Sequence, residues 1–231
     1  MKKAFIHFSI AFLAVALLAC AAHAEDKWQA LVEESGRVLE EVQKMPDQGV
    51  PEDLMSQCSA IAVFPSTVSA AFVIGGQYGQ GIIMVRDEAG GKWSPPAIFT
   101  IAGGSLGFQI GGQATDIVLL ITNRRSVDGI LQGKFKLGAD ANVAAGPVGR
   151  SAQAATDIQL KGGILSYSRN RGLFVGVNLG GSVLTEHTEG DEALYGKNLS
   201  AREIMLEGKA RMPKSADTIL KVLKKYPYKK Q

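Results

Sequence analysis

Few side chains in this sequence are equipped for catalysis, and they are scattered. Two of the three histidines lie in the first 23 residues. The third, His187, sits in the acidic run Glu186-His187-Thr-Glu189-Gly-Asp191-Glu192. A cation held there is one reading; a solvated acidic loop is the preferred one, because no two Cys or His residues stand at metal-ligand spacing. Asp116, Asp140 and Asp157 could pair as acid and base, yet nothing in their spacing brings them together. Cys58, in Met55-Ser-Gln-Cys-Ser-Ala, has no neighbouring cation to favour a thiolate and reads as a small buried residue. A phosphate loop, a G-x-G-x-x-G opening a helix and a G-x-S-x-G elbow are all absent from the sequence. Gly76-Gln-Tyr-Gly79-Gln-Gly81 reverses the dinucleotide spacing and falls between expected strands. The expectation is a non-enzyme with neither metal nor cofactor.

What remains is ionic and apolar chemistry. Arg124 and Arg125 follow an apolar strand, Lys134 and Lys136 share a strand face, and Arg169 and Arg171 stand at a hairpin turn. The tail carries Lys221, Lys224, Lys225, Lys229 and Lys230 with Tyr226 and Tyr228 interleaved and no acid. Each group reads singly as a solvated edge. Gathered by the fold, they would form an anion patch suited to phosphate headgroups. Residues 25–53 are the opposite, with nine acids against three bases. A formal net charge of +3 on 231 residues does not suggest nucleic acid.

The first 24 residues read as a secretory leader: Lys2 and Lys3, an apolar run from Ile10 to Leu18, then the A-x-A site Ala22-His23-Ala24. Leu17-Leu18-Ala19-Cys20 also resembles a lipobox, which would make Cys20 a lipid-modification site; both alternatives stay open. Either way the expected location is the periplasm, membrane-anchored in the second case.

The elements that must position these residues form an α+β domain. With 46% apolar residues and 27 glycines, a glycine-rich, mostly antiparallel, curved or barrel-like β body is expected between N- and C-terminal helices. Trp28, Leu31, Val32, Val38, Leu39 and Val42 recur at helical spacing, predicting an amphipathic helix from Asp26 to Lys44, within an N-terminal segment 25–50. A short helix starts at Pro51 and opens the main domain, 51–231. Ile61–Phe64 reads as a strand stopped by Pro65. Ala71–Ile74 and Ile82–Val85 flank the Gly75–Gly81 run, and Asp87–Gly91 reads as a turn. Strands are expected at Ile98–Ile101, along the alternating stretch Gly103–Gln113 (Leu106, Phe108 and Ile110 on one side), at Val118–Ile121 and at Lys134–Leu137. Ile164–Tyr167 and Leu173–Leu184 read as a hairpin. Ser215–Lys225 is the closing helix. Trp93 is a pocket wall or a core residue.

Several motifs follow one another in a specific order. They are Ile61-Ala-Val-Phe-Pro65, Gly75-Gly-Gln-Tyr-Gly-Gln-Gly81, Trp93-Ser-Pro-Pro96 and Gly103-Gly-Ser-Leu-Gly-Phe-Gln-Ile-Gly111. Asp116-Ile-Val-Leu-Leu120, Leu137-Gly-Ala-Asp140, Ala145-Gly-Pro-Val-Gly-Arg150, Tyr167-Ser168 and Gly172-Leu-Phe-Val-Gly-Val177 complete the series. From roughly Pro51 to Tyr226 this resembles the SYLF family of lipid-binding domains. The resemblance implies a β-rich domain with flanking helices that binds membrane phospholipids, phosphoinositides in eukaryotic members. Some fungal members also bind actin through their own amino-terminal region, and the resemblance implies no catalytic residues. Two departures matter. Export would separate this chain from actin and from cytosolic phosphoinositides. The helix Asp26–Lys44 is acidic where eukaryotic members use a basic one, so the family's membrane contacts do not transfer, and the basic residues named above are the candidates instead. The expected function is that of an exported, non-catalytic phospholipid-binding protein of the bacterial envelope; the alternative is a structural or protein-interaction module.

Overall fold

Three apolar runs decide the architecture: Ile61–Phe64, Ile82–Val85 and Ile117–Ile121 do not alternate with polar residues. A strand of that kind must be covered on both faces. The computed structural model, which describes residues 26–44, 49–71, 75–87, 89, 91–105, 111–147, 163–170, 173–177 and 179–229, shows how.

Helix α1 (26–43) and α2 (Glu52–Gln57) precede β1 (Ala60–Ala71), β2 (Gly75–Val85), β3 (Ala97–Ser105) and β4 (Gly111–Ile121). Helix α3 (Arg124–Ile130) leads to β5 (Phe135–Lys136), β6 (Asn142–Ala145), β7 (Gly163–Asn170), β8 (Leu173–Gly176) and β9 (Val183–Glu186). Helices α4 (Thr188–Tyr195) and α5 (Ala201–Met205), a 3-10 turn (Lys214–Ala216) and α6 (Asp217–Leu223) complete the described chain. The strands form one sheet in the order β5-β9-β3-β2-β1-β4-β7-β6, with β8 on β7. Only the β6–β7 pair is parallel among the described ladders. The first and last strands of that order are joined by the turn 137–141, where Leu137 bridges Ala141, so the sheet curls until its two ends meet.

Each face of the curl carries its own apolar cluster. On the outer face Ile61, Val63, Ile82, Met84, Ile98, Val118 and Leu120 pack under α1, α2 and α6. On the inner face Ala62, Phe64, Ile83, Phe99, Ile117 and Leu119 meet Val127 and Ile130 of α3 and Ile204 of α5. The amphipathic α1 falls where its periodicity puts it, with Trp28, Val32, Leu39 and Val42 buried. It crosses α6 at Gly36, where a Cβ would come within 2.9 Å of the Ile219 amide nitrogen. The close crossing outweighs the helical cost of glycine.

Five local expectations are corrected. Pro65 does not stop β1. The strand runs on to Ala71 through a bulge in which Val63 to Val68 takes five steps against the four from Ile82 to Tyr78 on β2. A bulge leaves one residue out of the ladder, and a residue without an N–H is tolerated there. The Gly75–Gly81 run is strand β2 itself, not a connection. A Cβ on Gly81 would stand 2.2 Å from the Val63 carbonyl oxygen, so the bulge requires glycine opposite it. Gly103–Gln113 is not one strand: its ends belong to β3 and β4, which pair with β2 and β1 respectively, and residues 106–110 lie outside the described residues. Leu173–Leu184 divides into β8, which forms the expected hairpin with β7, and β9, which crosses to β3. The acidic run is no solvated loop. His187 caps α4, its Nδ1 accepting from Gly190 N at 3.0 Å, and buried Asp191 accepts from Ile98 N at 2.8 Å.

Candidate functional site

Strands β1 to β4 run on past the bulge, beyond the rows that the described helices cover. Beyond the bulge their composition turns to glycine and small polar residues. Ala102, Tyr78, Val68 and Ala114 are successive register partners across β3, β2, β1 and β4, so they form one row. The row continues the outer face: Tyr78 stands four residues before Ile82, and the extra residue of the bulge returns Val68 to the side of Val63. Val68 and Tyr78 are each 54% exposed, the large apolar side chains that stand out among the described residues. Ala114 is exposed and Ala102 half-buried. The opposite side of the same strands is polar; Gln77 donates to Ser182 Oγ at 2.7 Å.

The bulge is locked by charge. Ser66, the one described non-glycine residue at positive φ (49°), donates its amide to Asp116 Oδ1 at 2.9 Å. Arg169 Nε donates to Asp116 Oδ2 at 2.8 Å, and its Nη1 reaches Glu41 on α1. Burial pushes the Asp116 carboxyl above its ordinary value, and the Ser66 amide opposes this. Asp116 is therefore a structural clamp tying bulge, β7 and α1 together. Asp140 is held elsewhere, accepting from Lys136 N in the β5–β6 turn, and Asp157 lies outside the described residues. Among the described residues no group of three His, Cys, Asp or Glu could hold a metal ion.

The basic candidates are not gathered. Arg124 and Arg125 open α3, which packs on the inner face; Arg124 pairs with Asp128 at 3.7 Å. Lys134 and Lys136 point outward around buried Phe135 at the β5 edge. Arg169 is spent on Asp116 and Glu41. Lys221, Lys224 and Lys225 are exposed on or just after α6, across the sheet from α3. The tail itself is docked: Tyr226 Oη donates to Gln43 Oε1 at 3.0 Å and Lys229 pairs with Asp53 at 2.9 Å. Arg171, Lys230 and Cys20 lie outside the described residues.

One cation escaped the sequence reading. Arg86, just past β2, is 1% exposed. Its guanidinium donates to the carbonyls of Ser56 (2.7 Å), Met55 (3.0 Å) and Tyr226 (3.2 Å), while Nε has no partner. It lies 4.4 Å from the Trp93 ring and 5.5 Å from that of Tyr228. Burial pulls its proton affinity down. Arg86 thus pins the C-terminal segment to α2, and Trp93 is both its stacking partner and a cleft wall. The signal was a lone arginine closing an apolar strand seven residues before a tryptophan. Cys58 is buried as expected, and burial pushes its thiol up to about 11, which leaves it protonated and inert.

Comparison with known proteins bears directly on this arrangement. Residues 102–226, more than half of the chain, match the family model described as "Ysc84: Las17-binding protein actin regulator". The chain is 34% identical over 180 residues to LAS seventeen-binding protein 3 of Saccharomyces cerevisiae, covering 77% of this chain and 39% of the yeast protein. It is 33% identical over 180 residues to Protein YSC84 of the same yeast, at 77% and 38%. Against SH3 domain-containing YSC84-like protein 1 of Mus musculus it is 31% identical over 185 residues, at 80% and 54%. The chain thus spans about two fifths to one half the length of these relatives. None of these names describes an enzyme. With the motif order, the curled sheet and its flanking helices in agreement, the chain belongs to the Ysc84 family, also known by its SYLF domain.

Proposed function

We propose that this is an exported, non-catalytic phospholipid-binding protein of the bacterial cell envelope, and that it meets the membrane with the uncovered end of its sheet. The observation that carries this reading is the row Ala102–Tyr78–Val68–Ala114, whose Val68 and Tyr78 are each 54% exposed on a face that described helices cover elsewhere. A tyrosine beside a valine suits the bilayer interface, where an amphipathic ring and an aliphatic group can both be accommodated. The dispersal of the basic residues argues that apolar contact, rather than a single anion patch, supplies the affinity. The leader-like first 24 residues support export, with either Ala24 as the cleavage site or Cys20 as an acylated anchor, and export would keep the chain from actin and from nucleic acid.

Vesicle co-sedimentation across salt tests the reading. Binding to zwitterionic and anionic vesicles that persists at high salt is expected; binding that needs anionic lipid and fades with salt would return the role to Lys221, Lys224 and Lys225. No binding to any vesicle would refute a lipid ligand. The relatives' names favour a second reading, in which the same strip docks a protein. A partner that crosslinks through Tyr78 in the absence of lipid would support it.

A further inference from the structure

The opposite end of β2 carries a different feature. A cleft of about 370 Å³ opens at the end of β2, between residues 85–87 and 92–95 on one side and α3 and the end of α5 on the other. Arg86, Lys92 and Arg124 line it, with Asp87 as the one acid among the lining residues. Trp93, Met205 and Leu206 supply apolar wall. Arg86 is a buried cation whose partners are three backbone carbonyls and two aromatic faces, and its Nε–H is unsatisfied. A buried charge without a counter-ion is costly, and the cost falls when an anion settles beside it. Lys92 has no ion pair among the described residues, and Arg124 has only its 3.7 Å contact with Asp128. Three cations against Asp87 and Asp128 leave about one positive charge, which draws a phosphate monoester carrying −1.5 to −2 near pH 7 more strongly than a monocarboxylate.

We propose that this cleft binds an organic phosphate monoester, its phosphate toward Arg86, Lys92 and Arg124 and its apolar or aromatic body against Trp93, Met205 and Leu206. The site is independent of the sheet-end strip: Val85 stands seven positions after Tyr78 on β2, on the order of 23 Å of strand.

The whole chain titrated with phenyl phosphate, followed by tryptophan fluorescence, tests it. Trp93 lines the cleft, and the other tryptophan, Trp28, is buried under α4. A saturable change that Trp93→Phe removes is expected. Lys92→Gln and Arg124→Gln, each checked for an unchanged unfolding midpoint, should each weaken binding about tenfold, as loss of a charge-assisted hydrogen bond does. Below pH 6 binding should weaken further as the dianion protonates. Equal binding of phenol, wild-type affinity in the double variant, or no saturable change would overturn the proposal. Glycerol 3-phosphate and phosphatidic-acid vesicles then separate the sources. Competition by the soluble ester alone assigns a free metabolite; competition by vesicles assigns a lipid headgroup.

Discussion

The two halves of strands β1 to β4 differ as if they belonged to different proteins. In the half nearest α2, Ala60–Phe64, Ile82–Val85, Ala97–Phe99 and Ile117–Ile121 are buried on both faces, and every register row is filled with aliphatic or aromatic side chains. Past the bulge, Thr67–Ala71, Gly75–Gln80, Ala102–Ser105 and Gly111–Thr115 keep the same ladders but are rich in glycine, alanine and polar residues, and the large apolar side chains exposed there among the described residues are Val68 and Tyr78. Hydrogen bonding is common to both halves, so it cannot explain the difference. Burial can: apolar area removed from water contributes about 25 cal/mol per Å², and among the described residues of these strands most of the buried apolar side chains lie on one side of the bulge. The covered half holds the fold together and leaves the other half free of that duty.

Substitutions across the bulge should expose this asymmetry. Phe99→Ala, in the filled inner cluster, should cost about 3–5 kcal/mol of unfolding free energy, whereas Val68→Ala should stay within about 0.5 kcal/mol. Denaturant titration of the pair checks this, and equal losses would erase the distinction. Glycine gives a finer contrast within one strand. Gly81→Ala sets a Cβ against the Val63 carbonyl and should cost about 1–3 kcal/mol through displaced backbone. Gly76→Ala, whose nearest neighbour lies at 3.9 Å, should be close to neutral.

The largest pH effect of a carboxylate belongs to the covered half. Burial raises the Asp191 carboxyl to about 8, so the folded chain keeps a proton that the unfolded chain releases near pH 4. The folded state then binds more protons between those values, and its stability falls as pH rises, at up to about 1.4 kcal/mol per pH unit. Asp191→Asn should flatten that slope between pH 4 and 8; an unchanged slope would place the proton elsewhere.

Much of this was legible before any coordinates. Helix α1 follows from the spacing of Trp28, Val32, Leu39 and Val42, and the buried strands follow from runs too apolar for one solvated face. What was lost was lost to tertiary context. Pro65 is a reliable breaker only where its missing N–H matters, and a bulge removes that constraint. The Gly75–Gly81 run looks like a loop because its reason for being glycine, the backbone of β1, is remote in sequence. His187 and Asp191 look solvated because helix α4 begins on a histidine cap and buries its acid against Ile98. The capping box Ser200–Glu203 marks α5, and the sequence reading passed over it. The candidate surface was hidden for a further reason: Val68 and Tyr78 lie ten residues apart, and only the register of a bulged hairpin sets them side by side.

The central claim is that the uncovered half of the sheet is the functional surface. Vesicle binding by the Val68→Asp/Tyr78→Asp variant, with its unfolding midpoint measured alongside, tests it most directly. The account predicts that membrane association falls by tenfold or more, about 1.4 kcal/mol, since the apolar contacts of both side chains are lost and two charges put in their place, while stability stays unchanged. Wild-type binding by a folded variant would contradict it.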